Sequence, residues 1–177
     1  MTTEILIAGF GGQGVLFAGK FLAYGGLLSG KQVSWLPSYG PEMRGGTANC
    51  SIIISDEPVG SPIVATPDVL MVMNLPSLDK YEDATVSGGK IFIDSTLIGR
   101  KVNRTDVDAY YIPATKMAQE AGYPTLANMV LMGKMMKETG IGADVLEAAL
   151  KKVVSAKRAE LLEVNLKALK SGFDYEG

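Results

Sequence analysis

The 177-residue chain has no histidine and a single cysteine, Cys50. Without an imidazole, a Ser-His-Asp triad, a histidine-ligated metal and histidine acid–base catalysis are all excluded. One thiol likewise rules out an internal disulfide and a cysteine-ligated iron–sulfur cluster within this chain. No apolar run approaches the roughly 20 residues needed to cross a bilayer. The first residues also lack the charged-then-apolar layout of a signal peptide. A soluble, cytoplasmic protein without a membrane partner is therefore expected. Its 17 Lys and Arg against 19 Asp and Glu give a net charge of −2, which leaves no basic excess for a nucleic-acid surface.

Glycine, by contrast, is plentiful and placed in patterns. Residues 5–8 form the apolar run ILIA, which meets GFGGQG at 9–14 and then a helical pattern. This reads as a buried strand, a tight turn and a helix, with Gly9, Gly11 and Gly14 matching G-x-G-x-x-G. The first N–H groups of the following helix suit a phosphate or carboxylate, which makes Gly9, Gly11, Gly12, Gln13 and Gly14 candidate cofactor-binding residues. The plain alternative is that these glycines only let the helix pack hard on the sheet. Dinucleotide binding would also require an acidic residue about 20 positions further on, whereas the second strand ends VSWL at 33–36. An overlapping phosphate-loop spacing, Gly14 to Gly19-Lys20, carries Phe21 where Ser or Thr must hold magnesium, so an ATPase is rejected.

The remaining chain alternates strands and helices through residue 171, and 177 residues suffice for one domain with a real core. The fold expected is α/β: a Rossmann-like, mostly parallel sheet flanked by helices, with an antiparallel excursion and C-terminal helices. The first strand, helix and second strand (32–36) make a βαβ unit, and Gly25-Gly26 with Gly30 loosen and end its helix. Strands are expected at 47–54 and 69–73, after a glycine turn within 88–94, and at 110–113, with a short edge strand at 60–64 completing the antiparallel excursion. Asn74 and Asp94 stand at strand exits and read as turn or cap residues. Met129, Met132, Met135 and Met136 on one helix are packing residues rather than metal ligands.

Between the second and third strands lies PSYGPEMRGG at 37–46, with the glycine, proline and polar content of a functional loop. Arg44, the only arginine before position 100, offers either a fork onto a phosphate or carboxylate or an ordinary ion pair with Glu42.

Taken together, GFGGQG at 9–14, PSYGPEMRGGTA at 37–48, GSP at 60–62, Asp94-Ser95 and ANMV at 127–130 resemble the gamma subunit of the 2-oxoacid:ferredoxin oxidoreductases. The second motif is the specific one. The resemblance extends over nearly the whole chain, corresponds to one domain of single-chain pyruvate:ferredoxin oxidoreductase, and implies a single domain over 1–177. It further implies a complex that decarboxylates a 2-oxoacid to an acyl-CoA, with 2-oxoglutarate or 2-oxoisovalerate favoured. That complex would use thiamine diphosphate, magnesium, iron–sulfur clusters and coenzyme A, none held by this chain alone. Partners would be alpha, beta and ferredoxin-like delta subunits, with ferredoxin reached through the complex and the isolated chain inactive. Tyr39, Glu42 and Arg44 would be accessory residues in a loop turned toward those subunits, and either Arg44 or the glycine turn would meet coenzyme A or another anion. Two rivals are a stand-alone nucleotide-binding protein and a purely structural subunit. Either subunit reading implies apolar surface covered in the complex, with the methionine-bearing helix and Trp35-Leu36 as candidates.

Overall fold

The computed structural model describes residues 1–38 and 47–177. Six strands, β1 (Thr2–Phe10), β2 (Gln32–Ser38), β3 (Thr47–Ser55), β4 (Val69–Val72), β5 (Lys90–Asp94) and β6 (Asp108–Ile112), form one sheet in the order β2-β3-β1-β4-β5-β6. The β1/β4, β4/β5 and β5/β6 pairs are parallel. Strand β3 runs antiparallel between β1 and β2. The sheet is therefore mixed, and the antiparallel excursion is an inner strand rather than an edge.

Two expectations are corrected here. β1 and β2 are joined through helix α1 (Val15–Leu28) but are not neighbours, because β3 inserts between them. No strand forms at 60–64. Pro62 removes a ladder donor in that stretch, and the Val64 N–H bonds the Ser51 hydroxyl at 3.4 Å instead of a strand carbonyl.

Alternation along the strands divides the core into two layers. Ile5, Ile7, Ile52, Met71 and Phe92 face one side, where they pack with α1, α3 (Ala114–Glu120), α4 (Ala127–Thr139), α5 (Leu146–Val153) and α6 (Ala159–Phe173). Leu6, Ile53, Leu70, Ile91 and Ile93 face the other, covered chiefly by Leu78 of α2 (Leu75–Tyr81) and by connecting segments. Helix α4 lies at the centre of the thicker layer. Met129, Met132, Met135 and Met136 are fully buried there, so the methionine-bearing helix is core and not a docking face. Of the other candidate pair, Trp35 is half-buried against the core and Leu36 is exposed.

Glycines inside α1 bring it onto the sheet. A Cβ on Gly26 would meet Val33 Cγ2 at 2.9 Å, and one on Gly19 would fall on the Cys50 sulfur. The helix consequently runs through Gly25-Gly26 to Leu28, where sequence pattern alone suggests loosening. Gly30, with φ of 80°, follows its end.

Cys50 itself is completely buried, and its thiol reaches the Val15 carbonyl at 3.6 Å. Burial pushes its pKa up to about 12, opposed by the adjacent Trp35 side chain. Native protein at pH 8 is thus expected to alkylate at least about 10³-fold more slowly than the urea-unfolded chain, since the thiolate is the reacting form. Equal rates, followed by mass spectrometry with iodoacetamide, would contradict this burial.

Candidate functional site

In open α/β sheets ligands collect at the carboxyl ends of the parallel strands. Here that edge gathers the Gly9–Gly14 turn after β1, Asn74 after β4, and Asp94 after β5. The antiparallel register adds the ends of the second motif. Ser38 pairs with Asn49, Asn49 with Ala8, and Thr47 with Phe10. The two sequence motifs, far apart in the chain, are therefore anchored at one sheet edge. Tyr39, Glu42 and Arg44 lie outside the described residues.

The glycines of the turn do different work. Gly12, with φ of 95°, is exposed and has no atom within 4 Å of the place a Cβ would take. Its backbone is open to a ligand, and the left-handed conformation favours glycine. Gly9 is a packing position, since a Cβ there would sit 2.6 Å from Gln13 Oε1 and 3.0 Å from Val15 Cγ2. Gly14 (φ 75°) precedes α1, and the side chain of Asn128 occupies the space its Cβ would need. Gly11 is half-buried within the same turn.

Gln13 holds this turn together. The Phe10 N–H donates to its Oε1 at 2.6 Å, and its Nε2 donates to the Met73 carbonyl at 3.0 Å. One side chain thereby ties the end of β1 to the end of β4. Asn128, at the start of α4, donates from Nδ2 to the Gly14 carbonyl at 3.0 Å. Sequence reasoning reaches Asn128 only as part of a motif. Its signal in the sequence is a polar residue within an otherwise apolar first half of the helix, and the structure buries it to 3 % exposure.

Asn74 and Asp94 act as expected of strand-exit residues. Asn74 Oδ1 caps α2 by accepting from the Ser77 N–H at 2.9 Å. Asp94 is completely buried, and Oδ1 accepts from the Thr96 and Thr115 N–H groups while Oδ2 accepts from the Thr115 hydroxyl at 2.5 Å. Its carboxylate belongs to the scaffold of the edge.

Chemically, the first N–H groups of a helix lack intrahelical acceptors and suit an anion, and α1 begins at this edge with Val15. Among the described residues no group of three or more Cys, Asp or Glu side chains is placed to hold a metal ion, and no helix is long and apolar enough to cross a membrane. Phe10, Leu75 and Leu97, each following or ending a parallel strand, are 39–46 % exposed along the same edge.

Comparison with known proteins agrees with this architecture. The chain is 42% identical over 174 residues to ketoisovalerate oxidoreductase subunit VorA of Methanothermobacter thermautotrophicus; the match covers 97% of this chain and 36% of that protein. It thus spans about a third of that relative's length. Among solved structures, the gamma subunit of the keto/oxoacid ferredoxin oxidoreductase from Geobacter sulfurreducens superposes with a TM-score of 0.83 at 31% identity, covering 97% of this chain and 96% of the other. A 2-oxoglutarate:ferredoxin oxidoreductase from Magnetococcus marinus, solved with 2-oxoglutarate, coenzyme A and succinyl-CoA, gives a TM-score of 0.87 at 26% identity, covering 97% of this chain and 30% of that one. The family model for pyruvate ferredoxin/flavodoxin oxidoreductase matches residues 4–175. With that match running from the first strand to beyond the last helix, the chain belongs to the pyruvate ferredoxin/flavodoxin oxidoreductase family.

Proposed function

We propose that this protein is the gamma subunit of a cytoplasmic, multisubunit 2-oxoacid:ferredoxin oxidoreductase, which converts 2-oxoisovalerate or 2-oxoglutarate to the corresponding acyl-CoA. The observation that carries this reading is the shared edge: Thr47, three residues beyond Arg44 in sequence, pairs with Phe10 at the mouth of the glycine turn. The segment that contains Arg44 and the open backbone turn thus leave the sheet at the same edge. The near-complete mutual coverage with a gamma subunit supports a gamma-type role, and the exposed Phe10, Leu75 and Leu97 supply apolar surface for a partner.

Thiamine diphosphate, magnesium and iron–sulfur clusters would supply decarboxylation and electron transfer in such a complex. A cluster does not fit this chain, whose one cysteine is buried, and among the described residues no group of three or more Asp or Glu side chains is placed for a magnesium ion; alpha, beta and delta subunits would hold these groups, and ferredoxin would be met through the complex. An anionic portion of coenzyme A or of the 2-oxoacid does fit, because Gly12 leaves its backbone uncovered. In this reading Gly11 and Gly12 offer backbone to the anion, Arg44 supplies a charge-assisted fork, and Tyr39 and Glu42 accompany it on the loop. Gly9, Gln13 and Gly14 keep the turn in shape. The contribution of this chain is to bind, orient and exclude water, with chemistry completed on partner subunits.

Reconstitution with candidate partner subunits tests the proposal. Arg44→Ala is expected to assemble normally yet lose about tenfold or more in CoA-dependent 2-oxoacid oxidation, or to need correspondingly more CoA or 2-oxoacid. Normal turnover by the variant would reduce the chain to scaffolding. Failure of the wild type to assemble or restore turnover would overturn the subunit assignment.

A further inference from the structure

We propose that the outer edge of β2 pairs with the same edge of a second copy of this chain, antiparallel about a two-fold axis at Ser34, so that two sheets continue into one. Among the described residues β2 is bonded only to β3, and no backbone hydrogen bond reaches its other side. The orientation of its backbone follows from the neighbouring strands. On β1 the Glu4 and Ala8 carbonyls accept from the Asp68 and Met73 N–H groups on the β4 side, which leaves the odd-numbered residues of β1 to bond β3. Ile5 stands opposite Ile52 and Ile7 opposite Cys50. Because hydrogen-bonded and non-bonded pairs alternate along an antiparallel ladder, the even-numbered residues of β3 bond β1 and the odd-numbered ones bond β2. Opposite those odd residues stand Gln32, Ser34, Leu36 and Ser38. Val33 and Trp35 therefore turn both N–H and C=O outward, and Pro37, which has no N–H to lose, turns outward with them.

Such an edge is a template for another strand, and proteins that keep one unpaired place charges, bulges or a cover on it. From Gln32 to Ser38 there is no charged side chain, and the register with β3 runs without a bulge. What an added strand must offer is set by Val33 and Trp35, and β2 itself offers it. With Ser34 opposite Ser34 of the other copy, Val33 meets Trp35 and Trp35 meets Val33, so every outward donor finds an outward acceptor. An axis at Trp35 would set Val33 against Pro37, which cannot donate. An axis at Val33 would set Trp35 against Lys31, whose N–H already bonds the Gly26 carbonyl. Side chains match in the Ser34 register as well. A β-branched residue faces an aromatic one on the α1 side, Gln32 faces Leu36 on the other, and no like charges are opposed. Apolar surface borders the edge on both faces: Leu27 (52 % exposed) and Leu28 (40 %) end α1 next to the Gly26 that packs on Val33, while Leu36 (39 %) and Ile63 (64 %) share a cleft on the opposite face.

Sedimentation velocity of the full chain is the test, and a monomer–dimer equilibrium is expected below about 100 µM. Ser34→Lys, which opposes two ammonium groups across the axis, should weaken it by about tenfold or more while the circular dichroism stays unchanged. Cross-linking reads the register. In Ser34→Cys the two Cα atoms would lie about 4.5 Å apart, within disulfide reach, and copper phenanthroline as oxidant should give a covalent dimer. Leu36→Cys should give none, because the two copies of that position would be offset by about 14 Å along the strands. The native Cys50 is buried and stays out of the reaction. A chain that remains monomeric up to about 500 µM, a Ser34→Lys variant that dimerises as well as wild type, or cross-linking of Leu36→Cys as fast as Ser34→Cys would each overturn the proposal. A monomeric chain whose Ser34→Lys variant fails to join the reconstituted complex would likewise overturn it, and would assign the edge to a strand of another subunit. A monomeric wild type that still restores turnover leaves the proposed function standing, so the two readings fail separately.

Discussion

Replacing Gly172 by alanine is expected to destabilise the protein by about 3 kcal/mol or more. Within a helix the same change ordinarily stabilises by roughly 0.5–1 kcal/mol, because alanine loses less backbone entropy. The sign reverses because α4 and α6 touch backbone to backbone. A Cβ on Gly172 would fall on the Val130 carbonyl of α4, and one on Gly133 would fall on the Leu169 carbonyl of α6. A side chain in the way could rotate, but a peptide carbonyl within a hydrogen-bonded helix cannot. The whole of α6 would have to move off the core that buries Ala168, Leu169 and the α4 methionines. For a protein of this length the midpoint should fall by about 6–12 °C. Urea unfolding of Gly172→Ala and Gly133→Ala measures the effect, and a variant more stable than wild type would show that the helices do not approach so closely.

Asp94→Ala should cost a similar amount, about 3 kcal/mol, for an electrostatic rather than a steric reason. One carboxylate collects donors from Thr96 and Thr115, so it fastens the turn after β5 to the start of α3. Alanine would leave two N–H groups and a hydroxyl without their acceptor at a completely buried position. The milder change Asp94→Asn keeps an amide oxygen for the two N–H donors, and the Thr115 hydroxyl can turn to accept from the new amide nitrogen. Its loss should be limited to about 1 kcal/mol. Equal losses for the two substitutions in chemical denaturation would mean that the hydrogen bonds are not what Asp94 contributes.

Strands are legible wherever apolar, β-branched residues run unbroken, as in residues 5–8, 52–54 and 69–72, because burial on both faces of a sheet needs that composition. Their neighbours are not legible. Nothing local to Gln32–Ser38 says that β3 separates it from β1, since that pairing is decided by residues distant in the chain. Gly19 and Gly26 illustrate the same gap. As isolated letters they weaken a helix, and only Cys50, Val33 and Ile54, brought in by the sheet, turn them into close-packing positions. Proline misleads in the opposite direction at 60–64, where tolerance at an edge suggests a strand that does not form. The roles of Asn74 and Asp94 are legible because capping is a short-range property. The glycine turn declares itself by its spacing, but the division of its glycines into open and packed positions depends on where Gln13 and Asn128 reach, which no spacing encodes.

The long register between β1 and β3, running from Thr2 opposite Ser55 to Phe10 opposite Thr47, sets where this chain can change length. Inserting one residue into β3 would transpose Ile52 and Ile53 between the two core layers and shift every later side chain with them. Outside the strands no such register applies: the β3 ladder starts at Thr47, and β2 ends at Ser38. Under the function proposed above, residues 39–46 are the segment to exchange when substrate preference is to be redirected, with the β1 and β3 ladder left as it is.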